Sequence, residues 1–489
     1  MDVSKFNQKS VSIKTVNMDG HAAYSMTDKA KLITQVLTSF FNESKFYGDN
    51  SSDMLKTIQR VAKTSPEFIA KLAVFARKEF NMRSVAHVLT ACLANEEKGK
   101  AYVRNTVWSV CQRGDDLTEI MSFYLATFGK PIPNALKRGI NDVLGRMDEY
   151  SLAKYKGTSN GVKMRDLLCL CHPKPRNDAQ SDLWKRLLEN RLETPVTWET
   201  QLSANGNNRE TWEALIDSGK VGYMAMLRNL RNIIIANPRN IEKVFSTIED
   251  PDAVRRSKQL PFRFLSAYKA IQGIGGSRAL DALENAVSES VLNMPVLRGT
   301  TVIAVDVSGS MSSKVSDKSD VTCGEIGMLL GVIANRICEN SVFFTFDDKL
   351  NREDLPRSVG ILYATTHRGM HGGATNMELP FKSMQQHDIK ADRIIFLSDN
   401  QCNMSSGGWW YKPVQTAADE YRKATGNDLW VHAIDLQGYG TQQFHGPKTN
   451  IIAGWSEKVF AFIKLAEKGI GSLEKAIDNY DGVAISPEP

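Results

Sequence analysis

The hydrophobic period of the chain changes once, near Gly299. In residues 27–298, apolar side chains recur at helical spacing, and short breaks that contain Gly or Pro separate the segments. After residue 299, short apolar runs rich in β-branched residues alternate with helical patterns. A succession of helices predicts an α-solenoid of stacked helix pairs, and the alternation predicts a doubly wound, mostly parallel sheet. We therefore expect a multidomain α plus α/β protein.

The same change of period predicts the domain boundaries. Residues 1–26 show little periodicity and are interpreted as an extended N-terminal arm. Residues 27–298 form the predicted helical domain, and residues 299–489 form the predicted α/β domain. Within that second domain, residues 361–365 are interpreted as one of the strands.

An Asp-x-Ser-x-Ser pattern begins at Asp306, directly after the apolar strand predicted at residues 301–305. A Gly-rich loop at residues 372–376 adds a hydroxyl, and a second apolar strand at residues 393–398 leads into Asp399. Carboxylates and hydroxyls are hard oxygen ligands that suit Mg²⁺ or Mn²⁺, and ligand sites in open α/β sheets lie at the carboxyl ends of strands. An ordinary polar turn is the alternative interpretation. The candidate metal ligands are Asp306, Ser308, Ser310, Thr375 and Asp399.

The familiar signatures of catalysis do not occur in the sequence. It contains no Gly-x-x-x-x-Gly-Lys-Ser/Thr phosphate loop and no Gly-x-Ser-x-Gly nucleophile elbow. His367 and His371 are four residues apart, but the Glu of a zinc-binding helix is missing. No recognisable general base accompanies the candidate metal ligands, so we expect no metal-assisted hydrolysis and no enzyme. A metal-dependent nuclease is the remaining catalytic alternative.

The net charge of +6 conceals an asymmetry between the two parts of the chain. Residues 1–300 carry 43 Lys and Arg against 32 Asp and Glu, a net charge of +11, and the remainder carries 18 against 23, a net charge of −5. A basic first part beside an acidic second part indicates a polyanion binder joined to a cation site. A diffuse, solvated positive surface explains the count equally well.

Basic side chains concentrate between residues 154 and 176, with Tyr155 among them. Lys and Arg attract phosphates, and Tyr and His can stack on unpaired bases. A further helical pattern holds Arg228 and Arg231 three residues apart, on one face. A solvated basic loop and a polar helix face are the alternatives. The basic cluster comprises Lys154, Lys156, Lys163, Arg165, His172, Lys174 and Arg176, of which Lys154, Lys156, Lys163, Arg165 and His172 are the candidate RNA contacts.

The seven cysteines form no Cys-x-x-Cys pair, and we interpret them as reduced thiols. No apolar run is long enough to span a membrane, and the N-terminus lacks the apolar segment of a secretory signal. We therefore expect a cytoplasmic protein.

The order Asp306, Ser308, Ser310, Thr375 and Asp399 resembles the metal-ion-dependent adhesion site of von Willebrand factor A domains. A basic helical part in front of such a domain resembles the Ro autoantigen family, in which a TROVE module precedes a von Willebrand A domain. A bacterial or phage-type member fits the short loops. The segments that carry the resemblance are residues 75–83 (FARKEFNMR), 154–156 (KYK), 165–168 (RDLL), 171–175 (CHPKP) and 225–230 (AMLRNL).

The resemblance implies a ring of HEAT-like helical repeats closed by the A domain. It implies that small noncoding Y RNAs bind the outer surface and that single-stranded 3′ ends of misfolded RNAs enter the central hole, for RNA surveillance or stabilisation. A monomer, a Mg²⁺ ion and, in bacteria, a 3′ exonuclease partner follow from it too. Lys154 and His172 match RNA-contact positions of the family, whereas Thr158 or Ser159 stands where the family has an Arg. A metal-dependent protein-binding scaffold that uses the A domain is the alternative function.

Overall fold

The computed structural model describes residues 14–17, 22–38, 51–155, 161–292, 294–316, 319–369, 371–404, 414–437, 441–453, 459–468 and 473–486. The chain divides into two compact units, one made of Met1–Thr27 with Thr197–Leu473 and the other of Asp28–Val196 with Glu474–Pro489. The predicted helical domain is thus shared between the units, and the last residues belong with the first helices. Among the described residues, no helix is both long and apolar enough to cross a membrane.

The Asp28–Val196 unit is built from helices, as the sequence predicts. Neighbouring helices pack closely: a Cβ added to Gly139 would lie 2.9 Å from the Val107 Cβ of a facing helix. A run of ten consecutive residues, 85–94, is buried in one helix. The helices are α1 (Asp28–Thr38), α2 (Ser51–Thr64), α3 (Pro66–Glu79), α4 (Ser84–Asn95), α5 (Lys100–Val110), α6 (Gly114–Phe128), α7 (Asn134–Leu144), α8 (Glu149–Lys154), α9 (Met164–Cys171) and α10 (Asp178–Leu188).

A buried carboxylate joins α6 to α4 and to the residue before α4. Asp116, in the first turn of α6, accepts hydrogen bonds from Arg83 Nε at 2.5 Å and from the Gln112 and Arg113 backbone N–H groups at 2.9 Å each. His87 Nε2 of α4 lies 3.1 Å from the same carboxylate. Although burial favours the neutral acid, the hydrogen bonds and charges of His87 and Arg83 hold the pKa of Asp116 well below its usual range.

The other unit contains the remaining helices of the predicted solenoid. Each of these helices lies where the sequence shows hydrophobic residues at helical spacing, except α11 and α15, which are too short to show a clear period. These helices are α11 (Trp198–Asn205), α12 (Arg209–Asp217), α13 (Tyr223–Ala236), α14 (Ile241–Glu249), α15 (Pro251–Ser257), α16 (Pro261–Ile271) and α17 (Gly276–Val291).

The same unit holds a six-stranded sheet of β3 (Leu297–Asp306), β6 (Cys338–Phe346), β7 (Leu350–Glu353), β8 (Arg393–Ser398), β9 (Trp430–Asp435) and β11 (Thr449–Ala453). The strand order is β11-β9-β8-β3-β6-β7, and every neighbouring pair is parallel except β6 with β7. The sequence prediction of a doubly wound, mostly parallel sheet is therefore confirmed. The helices of this part are α18 (Cys323–Ile337), α19 (Ile361–Thr366), α20 (Leu379–Gln386), α21 (Gln415–Thr425) and α22 (Val459–Glu467). The last helix, α23 (Leu473–Asp478), begins at the final residue of this unit, and its other residues belong to the Asp28–Val196 unit.

Helix α18 and an aromatic cluster hold the central strand from its two sides. A Cβ on Gly331 of α18 would lie 2.6 Å from the Val305 side chain of β3, so this helix can lie close to the strand only with Gly there. The aromatic cluster, which includes Phe344, Phe381 and Phe396, packs with Val302 and Ala304 of the same strand. The carboxyl end of β3 is therefore fixed by packing on both sides.

Two short sheets complete the architecture. The N-terminal segment interpreted as an arm forms β1 (Lys14–Val16) and β2 (Ala22–Ser25), which join β10 (Thr441–Gln442) in an antiparallel sheet. Strands β4 (Lys314–Ser316) and β5 (Ser319–Thr322) form a hairpin pair.

The strand predicted at residues 361–365 is wrong, because these residues form helix α19. The run of apolar and β-branched residues favours a strand locally. In the structure, the Glu284 carboxylate of α17 accepts the backbone N–H groups of Leu362 at 3.1 Å and Tyr363 at 2.6 Å. This satisfies the free donors of the first helical turn, a tertiary contact with no local sequence signal.

The last described residues pack on the first helices within the Asp28–Val196 unit. Asp478 of α23 accepts hydrogen bonds from Lys29 Nζ at 2.9 Å and, at its carbonyl, from Lys71 Nζ at 2.7 Å. The Tyr480 ring lies edge-on to Phe75, with ring centroids 5.3 Å apart. Six residues further on, the Ser486 hydroxyl donates to a buried carboxylate of α7 at 2.6 Å. Closure of the helical part into a ring stays a prediction.

Candidate metal centre and nucleic-acid interface

Asp306 ends β3, between β6 and β8, and its side chain is fully buried. The Ser308 N–H donates to Asp306 Oδ1 at 2.9 Å, and the Ser398 hydroxyl donates to Oδ2 at 2.6 Å. These hydrogen bonds fix the plane of the carboxylate. Ser398 was missed by the sequence reasoning, although it ends the predicted strand directly before Asp399.

Asp399 follows β8, which runs parallel beside β3. The carboxyl ends of neighbouring parallel strands lie at one edge of the sheet, so the two carboxylates lie at the same edge. Burial and the negative charge of Asp399 raise the pKa of Asp306 to about 7. Two buried carboxylates that repel each other favour the presence of a cation.

Two serine hydroxyls belong to the turn that follows β3. The Oγ atoms of Ser308 and Ser310 lie 3.3 Å apart. Ser308 is buried and Ser310 is exposed, so the pair connects the buried carboxylates to solvent. The Asp-x-Ser-x-Ser spacing thus places oxygens of different exposure at the carboxyl end of β3.

Thr375 lies on a loop that is tied to the same turn. The Gly309 N–H donates to the Gly373 carbonyl at 3.0 Å, and a Cβ on Gly309 would lie only 3.2 Å from the Gly372 carbonyl oxygen. The Thr375 side chain is buried, and its backbone N–H donates to Asn403 Oδ1 at 2.7 Å. The close approach of the two loops requires the small residues that the sequence shows.

The residues present fit a hard divalent cation. Their donor set would be two carboxylates and three hydroxyls, the ligands that Mg²⁺ and Mn²⁺ prefer. Among the described residues, no group of three or more His, Cys, Asp or Glu side chains could hold a metal, so a zinc-type cluster finds no support there. Asp347 lies near the loop, but its Oδ1 accepts the Lys349 N–H at 2.8 Å, which favours a structural role.

The basic cluster spans two short helices rather than one loop. Lys154 is the last residue of α8, Lys163 is the N-cap residue of α9, and Arg165 lies in the first turn of α9. All three side chains are exposed. Their assignment to RNA binding, against a merely solvated surface, stays a prediction, and Lys156 lies outside the described residues.

His172 ends α9 in the left-handed conformation, with φ of 51°, and its side chain is exposed. It lies at the opposite end of α9 from Lys163, so one helix of eight residues separates the two. Arg165 is partly engaged, since its Nε lies 3.7 Å from the Asp166 carboxylate. In the other unit, Arg228 and Arg231 are both exposed on α13, as their spacing predicts.

Comparison with protein families finds two matches that together cover most of the chain. The TROVE domain matches residues 14–190 and 185–279, and the Ro60 vWA domain matches residues 300–461.

Curated relatives share low sequence identity with this chain. "Telomerase protein component 1" of Rattus norvegicus is 24% identical over 49% of this chain and 12% of its own length. "RNA-binding protein RO60" of Caenorhabditis elegans is 27% identical over 48% of this chain and 38% of its own length. The chain thus spans well under half the length of these two relatives. "RNA-binding protein RO60" of Deinococcus radiodurans is 22% identical over 79% of this chain and 83% of its own length.

A solved structure shares the fold. The crystal structure of the Deinococcus radiodurans RO (RSR) protein matches with a TM-score of 0.64 and 16% sequence identity. The match covers 92% of this chain and 99% of that chain. The fold similarity therefore extends over both the helical part and the α/β part.

Proposed function

Because the chain belongs to the Ro family, in which a TROVE domain precedes a von Willebrand factor A domain, we propose that it is an RNA-binding component of a ribonucleoprotein. The observation that carries the proposal is the exposed set of cations around α8 and α9, with Lys154, Lys163 and Lys174 as its described lysines. The net charge of +11 on residues 1–300 supports it, because phosphate contacts supply much of the affinity for RNA. Two of the relatives carry the name RNA-binding protein.

The proposed ligands are small structured noncoding RNAs of the Y type and single-stranded 3′ ends of misfolded RNA. Exposed cations next to Tyr and His side chains suit such ligands, because unpaired bases stack on rings while phosphates pair with cations. The proposed role is surveillance or stabilisation of these RNAs in the cytoplasm, by a monomer that can work with a 3′ exonuclease. Binding rather than catalysis is the proposed activity.

The metal centre would act as a docking point in this scheme. Asp306, Ser308, Ser310, Thr375 and Asp399 would hold Mg²⁺, or Mn²⁺, and the ion would supply an electrophilic position for an acidic group of a partner. The protein's own contribution is to hold Asp306 in place through Ser398 and to leave Ser310 at the surface.

The test of RNA binding is the double variant Lys154→Ala with His172→Ala. Both side chains are exposed, so the fold should be unchanged and the affinity for a structured small RNA should fall about tenfold or more, measured by filter binding. The matched control is Lys390→Ala, an exposed lysine shortly before β8, near the opposite edge of the sheet from Asp306. Unchanged RNA affinity in the double variant would contradict the assigned surface.

A second candidate function is a metal-dependent protein-binding scaffold. The exposed hydroxyl of Ser310 beside two buried carboxylates favours it, because an ion held there would be open to a partner. It predicts partner capture that EDTA abolishes, with protein that purifies free of nucleic acid. A ratio of absorbance at 260 and 280 nm typical of protein alone would favour the scaffold, and a raised ratio would favour RNA binding.

A further inference from the structure

A small pocket opens beside Lys154 in the Asp28–Val196 unit. Its volume is about 290 Å³, near the lower end of the roughly 300–1,000 Å³ typical of ligand pockets. A pocket of this size suits one small group rather than an extended ligand. Its lining comes from the start of α6, the end of α7, and α8: Gln112, Arg113, Gly114, Val143, Arg146, Met147, Tyr150, Ser151, Lys154 and Tyr155.

The charged side chains that line the pocket are positive. Arg113, Arg146 and Lys154 line the pocket, and none of the described Asp or Glu residues does. Asp115 lies 2.7 Å from Arg83 and 3.1 Å from Arg113, so it offsets part of the Arg113 charge. Of the other carboxylates nearby in the chain, Glu149 pairs with Arg186 and Asp148 accepts the Ser151 backbone N–H. The pocket therefore favours an anionic group.

Two tyrosines give the pocket flat apolar walls. The Tyr150 side chain is 51% exposed, and the Lys154 ammonium lies 5.6 Å from its ring centroid and 5.8 Å from that of Tyr155. The Arg113 guanidinium lies 5.1 Å from the Tyr155 centroid. Aromatic faces bordered by cations are the arrangement in which bases stack while their phosphates are neutralised.

The positions of these groups are fixed by the surrounding helices. Arg146 donates to the Cys111 carbonyl and lies 4.2 Å over the Trp108 ring, so its guanidinium is held in one place. Gly114 lets the pocket floor come close to α9, since a Cβ there would lie 2.9 Å from Tyr155 and 3.2 Å from Met164. The exposed Lys163 and Arg165 flank that contact along the chain.

We propose that this pocket takes one unpaired nucleotide of a bound RNA, with its base stacked on Tyr150, the more exposed of the two rings, and its phosphate between Arg146 and Lys154. The inference rests on the proposed RNA-binding function and adds a recognition element to it. The Gln112 amide at the rim supplies a donor and an acceptor for a base edge. Continuous duplex offers no unstacked base, so the pocket favours RNA with bulges, loops or free ends.

The first test compares a single-stranded RNA oligonucleotide with the same backbone carrying abasic sites, by fluorescence anisotropy on the full chain. The wild type should bind the intact RNA about fivefold to tenfold more tightly. Tyr150→Ala should lose that preference, Tyr150→Phe should keep it, and Lys154→Gln should weaken binding of both RNAs together.

A matched control is Tyr363→Ala, because Tyr363 has the same exposed fraction of 51% and lies in the other unit. It should bind both oligonucleotides as the wild type does. If Tyr150→Ala retained the full preference for intact RNA, the pocket would be overturned while RNA binding itself stood. If the wild type bound neither oligonucleotide nor a structured small RNA, the proposed function would fail as well.

Photocrosslinking locates the base directly. Oligonucleotides that carry 4-thiouridine should crosslink to a peptide containing Tyr150 or Tyr155, identified by mass spectrometry, and Lys154→Gln should reduce the yield. Crosslinks confined to other peptides would overturn the assignment of the pocket.

Discussion

At the scale of single residues, Asp306 is a buried carboxylate beside a second one, the arrangement on which the proposed ion site depends. The carboxylate lies in the core, receives hydrogen bonds from Ser308 and Ser398, and is repelled by Asp399. Without an ion this arrangement costs folding free energy, because buried like charges repel in a medium of low dielectric constant. A cation bound there, as proposed, would offset this cost.

Asp306→Asn should therefore separate stability from metal binding. The variant removes one negative charge and keeps a similar shape, so we expect the metal-free protein to become more stable. It should also lose the rise in melting temperature of roughly 3 °C that saturating Mg²⁺ gives the wild type. Calorimetry with Mg²⁺ and with EDTA measures both effects.

Asp347→Asn is the control for this substitution. Asp347 is also a buried Asp after a strand, but it accepts the Lys349 N–H in a local turn. The Asp347→Asn variant should still show the rise in melting temperature with Mg²⁺, even if the substitution changes the stability of the metal-free protein. Loss of the response in both variants, or in neither, would count against the assigned ligands.

At the scale of secondary-structure elements, the sequence was informative where an element is long or its pattern is strict. The strand that leads to Asp306 and helix α18 were predicted from apolar runs of clear period. Helices α8 and α9 were missed, because six and eight residues give too few turns for a period to show. The shape of the basic surface around Lys154 could therefore not be predicted, although its residues could.

The same limit applies to side chains brought together from separate elements. Arg113, Arg146 and Tyr150 belong to three neighbouring segments and meet only through helix packing. Spacing along the chain gives no signal for such a pocket. The candidate metal ligands could be grouped from the sequence because parallel strands bring their carboxyl ends to one edge, a rule of topology rather than of local sequence.

The contact between the C-terminal segment and the first helices gives a prediction at this scale. Tyr480 packs on Phe75, and its hydroxyl donates to Glu79 at 3.1 Å. Tyr480→Ala should lower the free energy of unfolding by about 2 kcal/mol. Hydrogen exchange should quicken in α3, with urea denaturation as the second readout.

Ile485→Ala is the matched control, because that side chain lies in the same segment and is 83% exposed. It should leave hydrogen exchange in α3 unchanged. Equal effects of the two substitutions would mean that the segment does not stabilise the first helices through Tyr480.

At the scale of the whole molecule, each compact unit is built from two segments that are far apart in the sequence. Residues 474–489 belong with Asp28–Val196, whereas residues up to Thr27 belong with the sheet. The boundaries predicted at residues 26 and 298 followed the change of hydrophobic period, which reports secondary structure and not long-range contacts. Contacts such as Lys29 with Asp478 leave no trace in the periodicity, so they could not be predicted.

The charge distribution gives a prediction for the whole protein. If cations around α8 and α9 pair with phosphates, the affinity for RNA should fall steeply as salt rises, with a slope of about −0.7 per phosphate contact for single strands. Lys154→Gln should make the slope shallower by about 0.7 to 1. Filter binding between low and physiological salt measures the slope. An affinity independent of salt would contradict a phosphate-based interface.

The most direct test of RNA binding is crosslinking in the native cell, followed by sequencing of the RNA that remains attached to the protein. We predict recovery of one or a few structured small RNAs, together with single-stranded 3′ ends, with protein crosslinks between Lys154 and His172. Recovery of no RNA above the background of an untagged strain would contradict the account and would favour the metal-dependent scaffold.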